Sequence, residues 1–255
     1  MPSWSPSQYL EFAEERTRPA SDLLAQIPIV GPRRVVDLGC GTGNSTALLA
    51  AKWPTSELYG LDSSESMLAV AAKSGAPAKW ILSDMASWQP DQCYDVVFSN
   101  AAFQWLPDQR TQIPRFINFV CPDGIFAFQV PNNFAAPSHT IINDLANDIR
   151  WRAALKDVPR LQTGDPAFYY DIIKPHCTPL TIWATQYLQV LSGDDAVYRW
   201  ISGTSLRPFI AALGDNEKNV FISEYKARLA VAYPKQPDGT TLFPFQRIFV
   251  VAIKN

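Results

Sequence analysis

Short apolar runs alternate along the first half of the chain with segments whose apolar residues recur at helical spacing. The apolar runs predict five strands, at residues 35–38, 58–61, 80–82, 94–99 and 125–130. Helical periodicity predicts helices between them, at residues 45–52, 66–73 and 110–120. Strands and helices that alternate at these lengths are typical of an α/β fold, a doubly wound and mostly parallel sheet with helices on both faces.

Proline-containing segments predict where two of the elements begin. Pro19 is expected to start a helix whose apolar face lies at residues 23–27 and which ends at residues 31–32, Gly-Pro. Residues 122–124, Pro-Asp-Gly, predict a turn directly before the fifth strand.

The pattern changes after Pro131, where proline becomes frequent. One amphipathic helix is expected at residues 138–155, with Ile149 on its apolar side. Further helices are predicted at residues 196–204 and 217–233, and strands at 181–191 and 245–253 would complete a seven-stranded, Rossmann-like sheet. We therefore expect a single domain, residues 1–255, with helical cap insertions at about 131–180 and 192–243. Such a cap would cover the carboxyl edge of the sheet, where open α/β sheets bind ligands.

The composition excludes several classes of protein. The net charge is −2 and lysines and arginines are not clustered, so no nucleic-acid-binding face is expected. No apolar stretch approaches the roughly 20 residues that span a bilayer, and the amino terminus is polar. The cysteines are scattered and lack nearby histidines, so neither a metal site nor a disulfide framework is expected; they are Cys40, Cys93, Cys121 and Cys177. The sequence thus predicts a reduced, cytoplasmic protein without metal, nucleic-acid or membrane partners.

A glycine loop follows the first predicted strand. Asp37 lies near the end of that strand and is followed by Gly39, Gly41 and Gly43. Glycine lets a ligand lie against bare backbone, but a carboxylate at position 37 would repel a pyrophosphate and suits a ligand that carries an ammonium group. The spacing is also GxGxG rather than the GxGxxG of dinucleotide-binding folds. The loop resembles the cofactor loop of S-adenosylmethionine-dependent methyltransferases.

Other strand ends carry residues suited to the rest of that cofactor. Asp62 closes the second strand, where a carboxylate can accept hydrogen bonds from both ribose hydroxyls. Met67 and Met85 are expected beside the adenine, and Asp84 is expected to accept a hydrogen bond from its amino group. A backbone carbonyl near Asn100, at the end of the fourth strand, could meet the methionine ammonium. Asn44 and Ser63 beside these residues, and Arg18 in the amino-terminal segment, complete the predicted cofactor-binding set.

The whole chain resembles the trans-aconitate methyltransferase family. The resemblance is carried by WSPSQYLEFAEERTRPA at the start, by VVDLGCGTGNSTALL, LDSSESML and NAAFQWLPD, and by AFYYDII, TSLRPF and FPFQRIFVVA in the second half. It implies a class I methyltransferase fold and transfer of a methyl group from S-adenosylmethionine to one carboxylate of trans-aconitate, forming a monomethyl ester. S-adenosylhomocysteine would be the second product.

Esterification of a carboxylate needs no general base, because the nucleophile is already ionised at neutral pH. Catalysis is therefore expected to rest on positioning, and no single catalytic residue is assigned. Arginine suits the planar carboxylates of the acid. Arg33 and Arg34 precede the first strand and are excluded because they lie at the opposite edge of the sheet. The candidate substrate-binding residues are Arg207 as first choice, Arg247 and Arg16, together with Tyr9, Gln104, Trp105 and Tyr170.

Three other interpretations remain open at this stage. The chain could methylate another small carboxylic acid or metabolite, which would keep the cofactor loop and change the cap. It could bind S-adenosylmethionine without catalysis. An NAD(P)-dependent oxidoreductase is the third alternative, although the glycine spacing and Asp37 argue against it.

Overall fold

Seven strands form one sheet in the computed structural model, which describes residues 13–255. The strands are β1 (Arg34–Leu38), β2 (Glu57–Asp62), β3 (Ala78–Leu82), β4 (Tyr94–Asn100), β5 (Val120–Pro131), β6 (Cys177–Leu191) and β7 (Thr241–Lys254). Their order across the sheet is β3-β2-β1-β4-β5-β7-β6. Strands β1 to β5 pair in parallel and β7 runs antiparallel to β5. The predicted α/β class with a mostly parallel seven-stranded sheet is confirmed.

Ten α-helices lie among the described residues. They are α1 (Ala13–Ala25), α2 (Asn44–Lys52), α3 (Glu65–Ala71), α4 (Gln109–Asn118), α5 (Pro137–Asn147), α6 (Arg152–Leu155), α7 (Pro166–Ile173), α8 (Ala196–Ser202), α9 (Arg207–Ala211) and α10 (Asp215–Ala232). A short 3-10 helix, Phe103–Trp105, follows β4. No helix of residues 13–255 is long and apolar enough to cross a membrane.

The start of the first helix was predicted wrongly. Pro19 lies inside α1 rather than at its beginning, and the helix extends back to Ala13. Pro19, Ala20 and Leu23 are all buried, so packing outweighs the hydrogen bond that proline removes from a helix. The helix also ends before Ile27, whose amide hydrogen-bonds the Leu24 carbonyl three residues back.

Two further boundaries differ from the sequence prediction. Residues 122–124 do not form a turn before β5 but lie within it, at a register shift opposite β4, and Asp123 has a φ of 60°. The helix predicted at residues 138–155 is interrupted after α5. There the Asp148 side chain accepts a hydrogen bond from the Arg150 amide (2.9 Å), a local bond that competes with helical pairing. As a result Ile149, predicted on the apolar side, is 77% exposed.

The described residues divide into two compact units. The first, here called the sheet unit, comprises residues 13–131, 163–185 and 247–255. The second, the helical unit, comprises residues 132–162 and 186–246. Its segments correspond roughly to the predicted insertions at 131–180 and 192–243, but residues 163–180, including α7, belong to the sheet unit.

Aromatic side chains dominate the core of the sheet unit. Phe103 lies with its ring centre 5.1 Å from those of Phe116 in α4 and Phe128 in β5. Tyr169 of α7 packs edge-on against Phe128 at 5.2 Å. All four side chains are fully buried, so the loop after β4 is anchored by a large apolar cluster.

A disulfide joins Cys93 to Cys121, which the scattered cysteine positions did not indicate. Tyr94 at the start of β4 pairs with Val120 at the start of β5, and this pairing brings the neighbouring cysteines together. The expectation that the chain lacks disulfides is therefore wrong. Cys40 and Cys177 remain free and buried.

Removing the disulfide by a Cys93→Ser, Cys121→Ser double substitution is expected to lower the free energy of unfolding by about 3–4 kcal/mol, because the bridge closes a loop spanning 28 positions. Urea denaturation without reductant measures the difference. Alkylation in denaturant provides the control: two thiols should react before reduction and four after it. Four reactive thiols before reduction would contradict the assignment.

Candidate functional site

The glycine loop connects β1 to α2 and is tied to the neighbouring strand. The amides of Gly39 and Cys40 both donate to the Leu61 carbonyl, at 2.8 and 3.0 Å. Gly39, Gly41 and Gly43 all have positive φ values, 72°, 54° and 83°. A Cβ atom on Gly39 would lie 2.3 Å from the Cβ of Ala102, whereas one on Gly41 would meet open space. Gly39 is thus required by packing, and Gly41 leaves its backbone accessible.

Asp37 is completely buried beneath this loop. Its Oδ2 accepts hydrogen bonds from the hydroxyls of Ser45 and Thr46 in the first turns of α2, both at 2.7 Å. Its Oδ1 is buried without a hydrogen-bond partner. Burial raises the pKa of the Asp37 carboxyl from 3.8 to about 6, against the effect of the two hydroxyls, and the charge of Asp62 raises it further. One oxygen therefore orders the helix while the other is an acceptor without a donor.

Asp62 at the end of β2 orders the same loop from the other side. Its Oδ2 accepts a hydrogen bond from the Gly41 amide and its Oδ1 accepts one from the Ser64 amide, both at 2.9 Å. Burial raises the pKa of this carboxyl, while these backbone amides act in the opposite direction. A carboxylate has about four acceptor positions, so each oxygen can accept another hydrogen bond.

The remaining predicted cofactor residues differ in exposure. Met67 in α3 is buried, and Met85 lies close to Gly39, since its Cε would be 2.9 Å from a Cβ there. Ser63 and Asp84 are exposed, and Asp84 accepts a hydrogen bond from the Ala86 amide (2.9 Å). Asn44 is half-buried, and its Oδ1 accepts a hydrogen bond from the Thr42 hydroxyl (3.2 Å).

The end of β4 has an irregular backbone. Ala101 adopts a φ of 53°, a left-handed conformation that is uncommon for a residue with a side chain. Its carbonyl accepts a hydrogen bond from Nε2 of Gln104 (2.5 Å), which places the Gln104 Oε1 in a buried position without a partner. Strained residues of this kind cluster at functional sites.

Gln129 in β5 links two residues of the candidate site and was not among the predicted residues. Its Nε2 donates to Oδ1 of Asn100 (2.5 Å), and its Oε1 accepts a hydrogen bond from Nη1 of Arg247 (3.1 Å). Gln129 is completely buried and Arg247 is 4% exposed. Gln129 lies beside Asn100 in the pairing of β4 with β5, and this register was not available from residue types alone.

Arg18, predicted to contact the cofactor, and the remaining predicted substrate residues lie in several different elements. Arg16 and Arg18 lie in α1, where Arg16 is buried and Arg18 is exposed. Trp105, in the 3-10 helix, is half-buried, and Tyr170 in α7 is 51% exposed. Arg207 is the first residue of α9, in the helical unit, rather than part of a turn. Tyr9 lies outside the described residues.

Known proteins resemble this chain in sequence and in fold. Residues 35–124, from β1 into β5, match a family described as methyltransferase domain. Trans-aconitate 2-methyltransferase of Azoarcus sp. strain BH72 is 41% identical, with both chains covered completely. Trans-aconitate 2-methyltransferase of Rhodopseudomonas palustris strain HaA2 is 44% identical, again over both complete chains. The protein of the same name from Rhodococcus jostii strain RHA1 is 45% identical over 98% of each chain.

Solved structures share the fold at low sequence identity. The YcgJ protein of Bacillus subtilis aligns with a TM-score of 0.61 and 16% identity, over 93% of this chain and 98% of its own. Phosphoethanolamine N-methyltransferase 2 of Haemonchus contortus, solved with phosphomonomethylethanolamine and S-adenosylhomocysteine, aligns with a TM-score of 0.55 and 16% identity. That alignment covers 93% of this chain and 52% of the other.

Proposed function

We propose that this chain, which belongs to the trans-aconitate 2-methyltransferase family, methylates one carboxylate of trans-aconitate with S-adenosylmethionine as the methyl donor. The observation that carries the proposal is the likeness to relatives of that name along the entire chain, including the helical unit. Relatives that shared only the methyltransferase domain, residues 35–124, would support the cofactor but not the acid.

The glycine loop and its neighbours suit S-adenosylmethionine. Asp37 presents a buried oxygen that lacks a hydrogen-bond donor, which fits a ligand with an ammonium group. Asp62 keeps acceptor capacity for hydroxyl groups, and the open side of Gly41 leaves room against the backbone. When bound, the cofactor supplies an electrophilic methyl group, and its transfer to a carboxylate oxygen gives a methyl ester and S-adenosylhomocysteine.

The protein's own contribution to this reaction is positioning. A carboxylate is ionised at neutral pH, so no side chain has to remove a proton from it. We propose Arg207, Arg247 and Arg16 as the residues that bind the carboxylates of the acid, with Tyr9, Gln104, Trp105 and Tyr170 around it. Bidentate hydrogen bonds from guanidinium groups would fix the nucleophilic oxygen within about 3–3.5 Å of the methyl carbon.

The experiment that tests this function is incubation of the purified protein with S-adenosylmethionine and a panel of di- and tricarboxylic acids, with methyl esters detected by mass spectrometry. A strong preference for trans-aconitate is expected. Activity on another acid alone would replace the substrate. Bound S-adenosylhomocysteine without any methyl ester would overturn the reaction and keep the cofactor.

An Arg207→Ala variant is expected to raise the KM for trans-aconitate about 10- to 100-fold with a smaller change in kcat, because it removes charged hydrogen bonds to the acid. Steady-state kinetics and the affinity for S-adenosylhomocysteine measure the two effects separately. Arg152→Ala, which removes an exposed arginine of α6, is the control. Unchanged kinetics on trans-aconitate would exclude Arg207 from substrate binding.

The proposed partner is a small tricarboxylate rather than a nucleic acid, since the net charge is −2 and lysines and arginines do not form a run in the sequence. The proposed location is the cytoplasm. The Cys93–Cys121 disulfide would be unusual in that compartment, because disulfides are rare where thiols are kept reduced. Rapid alkylation of thiols in intact cells would report the state of both cysteines there.

A further inference from the structure

The helical unit contains a small pocket, with a cavity volume of about 20 Å³, that none of the predicted site residues lines. It is formed mainly by α5, α9 and the segment after α6. Its lining includes Phe134, His139, Asn143, Arg160, Ser205 and Phe209, and we call it the Arg160 pocket. All of these residues belong to the helical unit.

Arg160 gives the pocket its positive charge. The guanidinium carbon lies 4.8 Å from the centre of the Phe209 ring, a cation–π contact. The Nη1 atom is buried without a hydrogen-bond partner, and no ion pair of Arg160 is found among the described residues. Burial lowers the pKa of Arg160. A buried guanidinium donor without an acceptor is costly, so the site favours an anion.

The other polar side chains of the pocket carry no charge. The two ring nitrogens of His139 lie 3.1 Å from the hydroxyls of Ser138 and Ser205. Burial lowers the pKa of this imidazole to about 4, so it is neutral at pH 7. The hydroxyl of Ser205 and the amide of Asn143 add polar groups beside Arg160. No carboxylate lines the pocket to compete for the guanidinium.

The size and the position of the pocket limit the ligand. Pockets for whole drug-sized ligands enclose roughly 300–1,000 Å³, whereas this pocket has about 20 Å³, so it has room for one small group such as a carboxylate and not for a whole acid. Ser205 and Phe209 flank Arg207 in the sequence, and Arg207 is the proposed substrate arginine of the same unit.

We propose that the Arg160 pocket binds one carboxylate group of a small di- or tricarboxylic acid, with Arg160 as the cationic ligand and Ser205 and Asn143 as neutral hydrogen-bonding partners. The proposal rests on the proposed function in one respect, namely that the acid is the methyl acceptor. A separate di- or tricarboxylic acid that binds without being methylated would make the same contacts with Arg160. The experiment below distinguishes this acid from the methyl acceptor.

The test uses the full chain with S-adenosylhomocysteine and titrates tricarballylate, a saturated tricarboxylate, by calorimetry. Wild type, Arg160→Gln and the exposed control Arg152→Gln are compared. Arg160→Gln is expected to weaken tricarballylate about 10- to 100-fold, the effect of losing charged hydrogen bonds, and Arg152→Gln to leave it unchanged. Absence of tricarballylate binding by wild type, or equal affinity in wild type and Arg160→Gln, would overturn the proposal.

Arg160 packs on Phe209, so a second variant guards against a structural effect. Asn143→Leu keeps this packing and should weaken tricarballylate about 3- to 10-fold at an unchanged melting temperature. The KM for trans-aconitate identifies which acid the pocket binds. A higher KM in Arg160→Gln assigns the pocket to the methyl acceptor. An unchanged KM together with a lost affinity for tricarballylate assigns the pocket to a separate acid. Arg160-dependent binding without methylation of any acid would keep the pocket and refute the proposed function.

Discussion

Replacing Asp37 by asparagine is expected to weaken the binding of S-adenosylhomocysteine by at least about 100-fold, the effect of removing one partner of a buried charged pair. The buried Oδ1 of Asp37 has no donor in the protein, and an ammonium group of the ligand would supply one. Asparagine retains the shape of the side chain and an oxygen that accepts from Ser45 and Thr46, but not the negative charge. Calorimetric titration measures the loss of affinity.

The same substitution is expected to stabilise the ligand-free protein at neutral pH. The pKa of Asp37 is about 6 when folded against 3.8 ordinarily, so the folded state binds the proton more tightly than the unfolded state. The fold therefore loses stability from this group as the pH rises through 3.8 to 6. The difference of about 2 pKa units corresponds to about 3 kcal/mol, which Asp37→Asn recovers at pH 7 but not below pH 4.

Denaturation curves of wild type and Asp37→Asn between pH 3 and pH 7.5 test the direction of this pH dependence of stability. The stability difference should be near zero at low pH and grow in favour of the variant as the pH rises. In wild type, ligand affinity should fall below about pH 6, as Asp37 is protonated, and this part of the pH dependence should be missing in the variant. Asp144→Asn, at an exposed position of α5, is the control. A variant that binds S-adenosylhomocysteine normally would show that the ammonium lies elsewhere.

A Gln129→Leu substitution is expected to destabilise the protein by about 2–4 kcal/mol. The buried glutamine links Asn100 to Arg247, so leucine removes a hydrogen-bond donor from one and an acceptor from the other. Because Arg247 is only 4% exposed, water cannot readily replace the lost acceptor. Urea denaturation measures the free energy of unfolding.

Two other variants separate the role of Gln129 from a general effect of substitution. Gln129→Glu gives Arg247 a carboxylate acceptor, and the amide of Asn100 can turn to donate to it, so this variant should be more stable than Gln129→Leu. Gln112→Leu removes a half-buried glutamine that accepts a hydrogen bond from Nε of Arg115 (3.0 Å) and should cost less than about 1 kcal/mol. Equal costs for Gln129→Leu and Gln112→Leu would contradict a burial-dependent link.

The positions of the proposed cofactor residues at strand ends were largely predictable from local sequence. The acidic residue before the glycines, Asp62 after the second strand and Asn100 after the fourth all lie at carboxyl ends of adjacent parallel strands, as the pattern indicated. Their partners were less predictable. The bonds of Asp37 to Ser45 and Thr46 require a helix in one particular orientation, which residue types do not specify.

The sequence by itself determined the class of the fold, the glycine loop and the family, because these depend on short periodicities and on motifs of consecutive residues. Only the tertiary structure decided the contacts between distant positions: Cys93 with Cys121, the Gln129–Arg247 bond across 118 residues, and the packing of Arg160 on Phe209. It also placed Pro19 inside a helix and interrupted the predicted helix after Asn147. Local pattern specifies the elements, whereas the register of strand pairing and the packing of side chains arise from interactions that no short segment contains.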